Sequence, residues 1–199
     1  MRTISTQEVG IEKLKKILSK PAFDQVVLSD RIREKNKTLF GEDLTAAQIV
    51  DKIVKGIRED GDKAVIDFTK LIDGVEFSAE NLEVSEAEFM EAESLVDSKI
   101  LASIRKAIDN VRSYHVEQKP RSWITYREHG SMLGQSCIPL DRVGIYVPGG
   151  TASYPSSVIM NAVPASVAGV KEIIMAVPPA KDGKVNPYVL VVAREAGVD

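Results

Sequence analysis

Short β-branched runs alternate with apolar helical segments in the C-terminal part of the chain, and this alternation restricts the possible folds more than any other feature. It predicts strands over Val143–Val147 and Glu172–Val177, and helices over Ser156–Ala168 and Asn186–Ala196. A strand–helix–strand–helix order is typical of a parallel sheet with helices packed on it. Parallel sheets are buried on both faces and need several strands. We therefore expect only the start of a sheet here, in a piece of a longer protein.

The residues before this part have a helical pattern. A Ser or Thr followed three positions later by Glu or Gln forms a capping box, and this signal predicts helix starts at Thr45 and at Ser85. The second helical region continues to about Glu117, and residues 123–138 are predicted to form a β-hairpin that turns at Gly130.

These patterns predict an α/β fold in two parts. Residues 1–140 are expected to be a mostly helical segment with a hairpin. Residues 141–199 are expected to begin a Rossmann-like parallel α/β domain and to leave it incomplete.

Composition excludes some classes of partner. A net charge of -3 and a pI of about 5.6 leave no basic footprint for nucleic acid. The sequence lacks both an apolar run of about 18 residues, the minimum for a membrane span, and the hydrophobic core of a signal peptide. The single cysteine, Cys137, forms no intrachain disulfide, and we expect it to be a small buried hydrophobe in a cytoplasmic protein.

The run Pro148-Gly149-Gly150 lies between the first predicted strand and helix. Glycines at this place can take positive φ and expose backbone N–H groups, and the N-terminus of the following helix adds partial positive charge. A phosphate or carboxylate could bind there. The spacing matches neither the dinucleotide-binding fingerprint nor a Walker loop, so the residues alone favour an ordinary tight strand-to-helix turn and leave a binding role as the alternative.

Tyr146, the two histidines and the cysteine are the other residues that could take part in binding or chemistry. Tyr146 lies near the carboxyl end of its strand, where ligands of α/β sheets bind. It is either a buried tyrosine with a satisfied hydroxyl or a ring that stacks on a base or sugar. The two histidines, His115 and His129, and Cys137 have no metal-ligand spacing, so these residues encode no zinc site.

The segment VGIYVPGGTASYPSSVIMNAVPASVAGV resembles the signature region of the histidinol dehydrogenase family, and GSMLGQSCIPLDRVG and PPAKDGKVNPYVLVVAREAGVD occur in that family's order and spacing. The resemblance implies a cytoplasmic, zinc-dependent, NAD-using homodimer that oxidises L-histidinol through the aldehyde to L-histidine. It implies that Tyr146 contributes to NAD binding, with Gly149 and Gly150 beside it. It also implies that residues 1–140 belong to a domain that residues outside this chain complete. The family's zinc ligands and its Glu-His acid–base pair are expected after Asp199, so this chain would hold no catalytic or metal residue.

The resemblance leaves alternatives. The substrate could be another small alcohol, because the residues that select the imidazole are expected outside this chain. The chain could instead be a binding module that kept the fold without the chemistry, which a natural stop after Asp199 would favour. As an N-terminal portion of the enzyme, it is expected to be inactive alone, to bind NAD weakly, and to expose apolar surface.

Overall fold

The computed structural model describes residues 5–19, 28–149 and 153–199. Its helices are α1 Thr6–Val9, α2 Ile11–Leu18, α3 Asp30–Phe40, α4 Ala46–Asp60, α5 Asp62–Asp73, α6 Glu86–Leu95, α7 Ser98–Gln118, α8 Pro155–Ala168 and α9 Pro187–Ala196. Its strands are β1 Trp123–Tyr126, β2 Met132–Gln135, β3 Arg142–Tyr146 and β4 Glu172–Ala176. The chain forms two compact units, Met1–Ala64 and Val65–Asp199.

The first unit is helical. Its longest helix, α4, starts at the predicted capping box: the Gln48 N–H donates to the Thr45 hydroxyl, and the Thr45 N–H donates to the Gln48 side chain at 2.9 Å. The connection from α3 to α4 is held by a two-point ion pair between Arg33 and Asp43, with N–O distances of 2.7 and 2.5 Å. The predicted helix that corresponds to α4 and its predicted start at Thr45 are both confirmed.

The second unit contains the predicted parallel pair of strands. β3 and β4 pair in register from Arg142 opposite Glu172 to Tyr146 opposite Ala176. Because side chains alternate along a strand, one face of the pair carries Val143, Ile145, Ile173 and Met175. These four residues belong to a core that α7, α8 and α9 complete. The predicted α/β fold class is confirmed.

Within the part of the chain that the structure describes, the other face of this two-stranded sheet is uncovered. We call it the open face, and its residues are Arg142, Gly144, Tyr146, Glu172, Ile174 and Ala176. Tyr146 is 63% exposed and Ile174 is 42% exposed, although both are large and hydrophobic. The expected exposure of apolar surface is therefore present at the sheet.

Helix α9 is buried on two sides. Val189, Val192, Ala193 and Ala196 pack into the core beneath the sheet. Leu190 and Val191 form a second small core with Ala92 of α6. An apolar sequence with no polar stripe is typical of a fully buried helix, and α9 accordingly joins the earlier helices to the α/β part.

Two arginines form ion pairs that connect α9 with α6 and with α7. Arg194 of α9 binds Glu93 at 3.0 Å and also Glu86, while its guanidinium lies 4.6 Å from the centre of the Phe89 ring. Arg105 of α7 donates two hydrogen bonds to Glu195 at 2.8 and 2.7 Å. Paired, planar contacts of this kind fix the orientation of neighbouring helices.

The predicted hairpin is confirmed, since β1 and β2 pair antiparallel. Its turn holds His129 at φ 62°, a backbone conformation that most side chains avoid, followed by Gly130 at φ 77°. The strands are largely exposed, with Tyr126 at 76% and Met132 at 59%. Pairs of strands with this little burial are marginally stable by themselves.

One expectation about the helices differs from the structure. The helical region from Ser85 is two helices, because Asp97 leaves helical geometry and its carboxylate accepts a hydrogen bond from the Lys99 N–H at 2.8 Å as the cap of α7. Helix α8 runs as one element through Pro164. The domain division at residues 140 and 141 stays a prediction.

The Arg105–Glu195 pair makes stability depend on pH. Hydrogen bonds from Arg105 lower the pKa of Glu195 below its ordinary value of 4.5, outweighing the effect of partial burial. A lowered pKa in the folded state stabilises the protein above the unfolded pKa, and this contribution is lost as the pH falls through the folded value. We expect Glu195→Gln to destabilise the chain at pH 7 by about 1 kcal/mol or less, because Arg105 is 59% exposed.

Urea unfolding of the unchanged chain and of Glu195→Gln, at pH 7 and at pH 4, measures this effect. The difference between their free energies of unfolding should be smaller at pH 4. Glu117→Gln, an exposed position near the end of the same α7, serves as the matched control. A Glu195→Gln difference that is equal at both pH values would contradict the assignment.

Candidate ligand site at the carboxyl ends of the parallel strands

The two parallel strands deliver their following loops to the same edge of the sheet. Val147 is fully buried just after β3, and its N–H donates to the Ala176 carbonyl at 3.0 Å. This bond continues the ladder one residue past β3 and sets where the glycine turn begins. Loops at the carboxyl ends of parallel strands are the usual place for ligands in α/β folds.

Gly149 is required by a close approach of the two loops. A Cβ atom at this position would lie 2.8 Å from the Pro178 carbonyl oxygen and 3.3 Å from the Pro178 Cδ. The φ of Gly149 is outside the positive range, so this residue does not adopt the positive-φ conformation that was expected of it. Gly150 and the neighbouring Thr151 lie outside the described residues.

A cleft of about 540 Å³ opens beside this turn. Its walls come from the loop after β3, the loop after β4, α6 and the start of α9. Its apolar lining consists of Ala92, Leu95, Pro148, Val177, Pro178, Ala180, Val185, Pro187, Val189 and Leu190. Ala92 and Leu190 also belong to the second core, so the floor of the cleft is fixed by packing. Such a surface suits a flat or apolar group.

The polar rim of the cleft is mainly acidic. Lys184 binds Glu91 at 3.0 Å, and its backbone N–H donates to Asp182 at 3.1 Å. The hydrogen bond with Glu91 raises the pKa of Lys184, and hydrogen bonds from Ser85 lower the pKa of Glu88. Among the lining residues that the structure describes, Lys184 is the only basic one. The rim therefore favours hydrogen-bond donors over free anions.

The N-terminus of α8 is the electropositive feature closest in sequence to the turn. Ser153 lines the cleft, and Pro155 opens the helix after Tyr154, whose side chain makes no capping bond. The first turn of a helix carries N–H groups without intrahelical partners. Ser156 is exposed and Ser157 half-buried there, so hydroxyl groups are also partly accessible at this helix start.

Tyr146 lies outside this cleft. It is 63% exposed on the open face, whereas Gly149 lines the cleft on the other side of the turn. The alternative of a buried tyrosine is therefore wrong for this chain. Of the three predicted cofactor residues, the structure describes Tyr146 and Gly149, which lie on either side of Val147 in the chain, and only Gly149 lines this cleft.

The histidines and the cysteine form no metal site. Within the described parts of the chain, no three His, Cys, Asp or Glu side chains are grouped as a metal would need. The His115 ring contacts Tyr114 edge-on at 5.3 Å, and His129 is in the hairpin turn. Cys137 is half-buried where a buried thiol was expected, and its N–H donates to the Ser122 hydroxyl.

Sequence reasoning missed the residues that α6 and the loop after β4 bring to the cleft. Glu88 had been read only as half of a capping box, and Glu91, Asp182 and Lys184 were assigned nothing. Their approach depends on the packing of α6 against α9, which local patterns do not encode. The apolar stretch of α9 was the one available signal that something must cover this helix.

Most of the chain, including the residues that line this cleft, matches known proteins. A family model described as histidinol dehydrogenase matches residues 38–199. A histidinol dehydrogenase of Heliobacterium mobile is 55% identical over 163 residues, which are 82% of this chain and 38% of that protein. One of Carboxydothermus hydrogenoformans is 54% identical over 151 residues, 76% of this chain and 35% of that protein.

A solved structure is similar as well. The crystal structure of histidinol dehydrogenase from Elizabethkingia anophelis superposes with a TM-score of 0.73 at 31% identity, covering 79% of this chain and 36% of that one. The chain thus spans well under half the length of these relatives. Across the described residues, no helix is long and apolar enough to cross a membrane.

The close contact at Gly149 can be tested by adding one methyl group. Gly149→Ala should destabilise the chain by about 1 to 3 kcal/mol, because the new Cβ meets the Pro178 backbone. Gly144→Ala is the matched control in the adjoining strand, since a Cβ there meets nothing within 4 Å, and it should change stability by about 0.5 kcal/mol or less. Urea unfolding measures both, and equal effects would contradict the packing role of Gly149.

Proposed function

Because the chain belongs to the histidinol dehydrogenase family, we propose that it is the N-terminal portion of an enzyme that oxidises L-histidinol through histidinal to L-histidine. The observation that carries this proposal is the family match over residues 38–199, which includes the strand, the glycine turn and the start of α8. Two successive two-electron oxidations need two molecules of NAD for each histidinol.

We propose that NAD binds around the glycine turn. Three features of this chain support the fit: the exposed Tyr146 ring, the tight packing of Gly149 on Pro178, and the uncapped start of α8. NAD would supply the hydride acceptor. Tyr146 would stack on a ring of the cofactor, Gly149 would keep the turn low enough for backbone N–H groups to reach it, and Gly150 would take part beside it.

The described residues do not fit a zinc site, since they bring no ligand group together. The zinc expected for this family would therefore need ligands from elsewhere in the complete protein. The same holds for the acid–base pair, and we assign no catalytic residue to this chain. A homodimer, a cytoplasmic location and the small-molecule substrate are likewise parts of the proposal for the complete enzyme.

The two alternative functions have less support. Oxidation of another small alcohol would keep the NAD site, but the relatives that match at 55% and 54% identity are named histidinol dehydrogenases. A binding module without chemistry would be favoured by a gene that stops at Asp199. Reading the coding sequence past that codon separates this module from the enzyme.

The isolated chain should be catalytically inactive. It holds at most part of the cofactor wall and no catalytic group, so we expect no NADH formation from L-histidinol, measured by absorbance, and weak or undetectable NAD binding. The complete gene product, assayed in parallel with added zinc, is the positive control. Turnover of histidinol by these 199 residues would refute the assignment.

Tyr146 can be tested in the complete gene product. Tyr146→Ala should raise the KM for NAD about tenfold, because a stacked ring contributes on the order of 1 kcal/mol or slightly more. Tyr146→Phe keeps the ring and should stay close to the unchanged protein. Tyr126→Ala, at another exposed tyrosine, is the matched control. An unchanged KM for NAD in Tyr146→Ala would remove Tyr146 from the cofactor site.

A further inference from the structure

The loop that follows β4, residues 177–186, is in direct contact with the glycine turn. We call it the proline loop, because Pro178 and Pro179 follow its first residue, Val177. A Cβ atom added at Gly149 would lie 2.8 Å from the Pro178 carbonyl oxygen, 3.3 Å from the Pro178 Cδ and 3.4 Å from the Val177 Cγ2. The position of the turn therefore depends on the position of this loop.

The middle of the proline loop is a closed turn over residues 180–184. The Ala180 N–H donates to the Lys184 carbonyl at 2.9 Å, and the Gly183 N–H donates to the Ala180 carbonyl at 2.9 Å. The Lys184 N–H donates to the Asp182 carboxylate at 3.1 Å. Gly183 has a φ of 80°, a left-handed conformation that favours glycine. Because these bonds link its residues to one another, the closed turn moves as one unit.

Two contacts attach this closed turn to the helices that come earlier in the second unit. The Lys184 Nζ lies 3.0 and 3.3 Å from the two carboxylate oxygens of Glu91 on α6. A Cβ atom at Gly183 would lie 3.4 Å from the Cγ1 of Val75, which precedes α6 and is only 7% exposed. The loop after β4 is thus held by a side chain of α6 and by the segment before it.

The residues between the closed turn and Gly149 are stiff. Proline rings fix φ at Pro178 and Pro179, and a following proline restricts the backbone of Val177 as well. A displacement of the closed turn away from α6 is therefore transmitted to Pro178 and is not absorbed on the way. Pro178 is the residue whose carbonyl and ring contact Gly149.

We propose that Lys184 is a positioning residue for the cofactor site: by binding Glu91 it keeps the proline loop against α6, where Pro178 contacts Gly149 and fixes the backbone of the glycine turn. Lys184 acts on cofactor binding through the loop and the turn, without contacting the cofactor. The inference rests on the proposed function, since it concerns the turn at which we place NAD.

A direct electrostatic role of Lys184 is the alternative, because this lysine also lines the cleft and NAD carries an anionic diphosphate. The two roles predict opposite effects at Glu91. If Lys184 attracts the diphosphate by its charge, removing the carboxylate of Glu91 strengthens NAD binding. If the Lys184–Glu91 pair holds the proline loop, removing either partner weakens NAD binding.

Kinetic constants of the complete gene product test the proposal. Lys184→Ala and Glu91→Ala should each raise the KM for NAD about two- to fivefold and leave kcat within about 1.5-fold, because exposed ion pairs are weak and the loss concerns binding. The double variant should be no worse than either single variant. Lys184→Arg keeps the ion pair and should stay close to the unchanged protein. Lys106→Ala, at an exposed lysine of α7, is the matched control.

Hydrogen exchange of the complete gene product without NAD tests the link between loop and turn independently of activity. Peptides that cover residues 177–186 and residues 144–149 are followed by mass spectrometry. Both should exchange about two- to fivefold faster in Lys184→Ala and in Glu91→Ala than in the unchanged protein, since an opened loop leaves the turn without its contact. A peptide from α7 should exchange equally in all of them.

A lower KM for NAD in Glu91→Ala would overturn the inference in favour of a direct charge effect. An unchanged KM in Lys184→Ala, or faster exchange in the proline loop with no change at residues 144–149, would overturn it as well. If the complete protein does not oxidise histidinol, the proposed function fails, and the exchange at residues 144–149 still decides whether Lys184 positions the turn.

Discussion

The enclosure of α9 is the constraint on which the second unit depends. This helix presents Val189 and Val192 to the core under the sheet and Leu190 to α6, so it needs partners on both sides. One partner is the α/β part that follows residue 140, and the other is a helix from nearly a hundred residues earlier. The contacts of Arg194 with Glu93 hold the second partner at a fixed angle. Separate folding of the two parts would leave an apolar helix exposed to water on one side.

This arrangement also explains why the neighbourhood of the glycine turn has two unlike sides. On the side of α6, packing forms a cleft with an apolar floor and an acidic rim. On the side of Tyr146, nothing in the described residues covers the sheet, although its side chains there are partly apolar. The turn itself is fixed between the two sides by Val147 and by the contact of Gly149 with Pro178. A cofactor at this turn would therefore contact residues 147–149, which packing holds in place, next to the sheet face that the described residues leave uncovered.

Much of the fold was predictable because the signals are local. Capping boxes predicted the starts of α4 and α6, and β-branched runs predicted β3 and β4. The break between α6 and α7 was missed although Asp97 is an ordinary helix cap, because the apolar period continues across it. The exposure of Tyr146 and the contribution of α6 to the cleft were not readable locally, since both follow from which elements pack together. Gly149 was expected to use a positive φ, whereas the structure gives it a φ outside that range and a close contact with Pro178.

The length of sequence between α6 and α9 also determines how long α6 is without its packing partner while the protein is being synthesised. Glu93 and Arg194 are 101 positions apart. At about 5 to 20 residues per second, the ribosome needs roughly 5 to 20 seconds to make that stretch, while helices with apolar faces form in about a microsecond. Helices α6 and α7 thus emerge long before the segment that will bury them. For that interval the apolar residues of α6 and α7 that later pack on α9 stay exposed to water, and they can be buried only once α9 has left the ribosome.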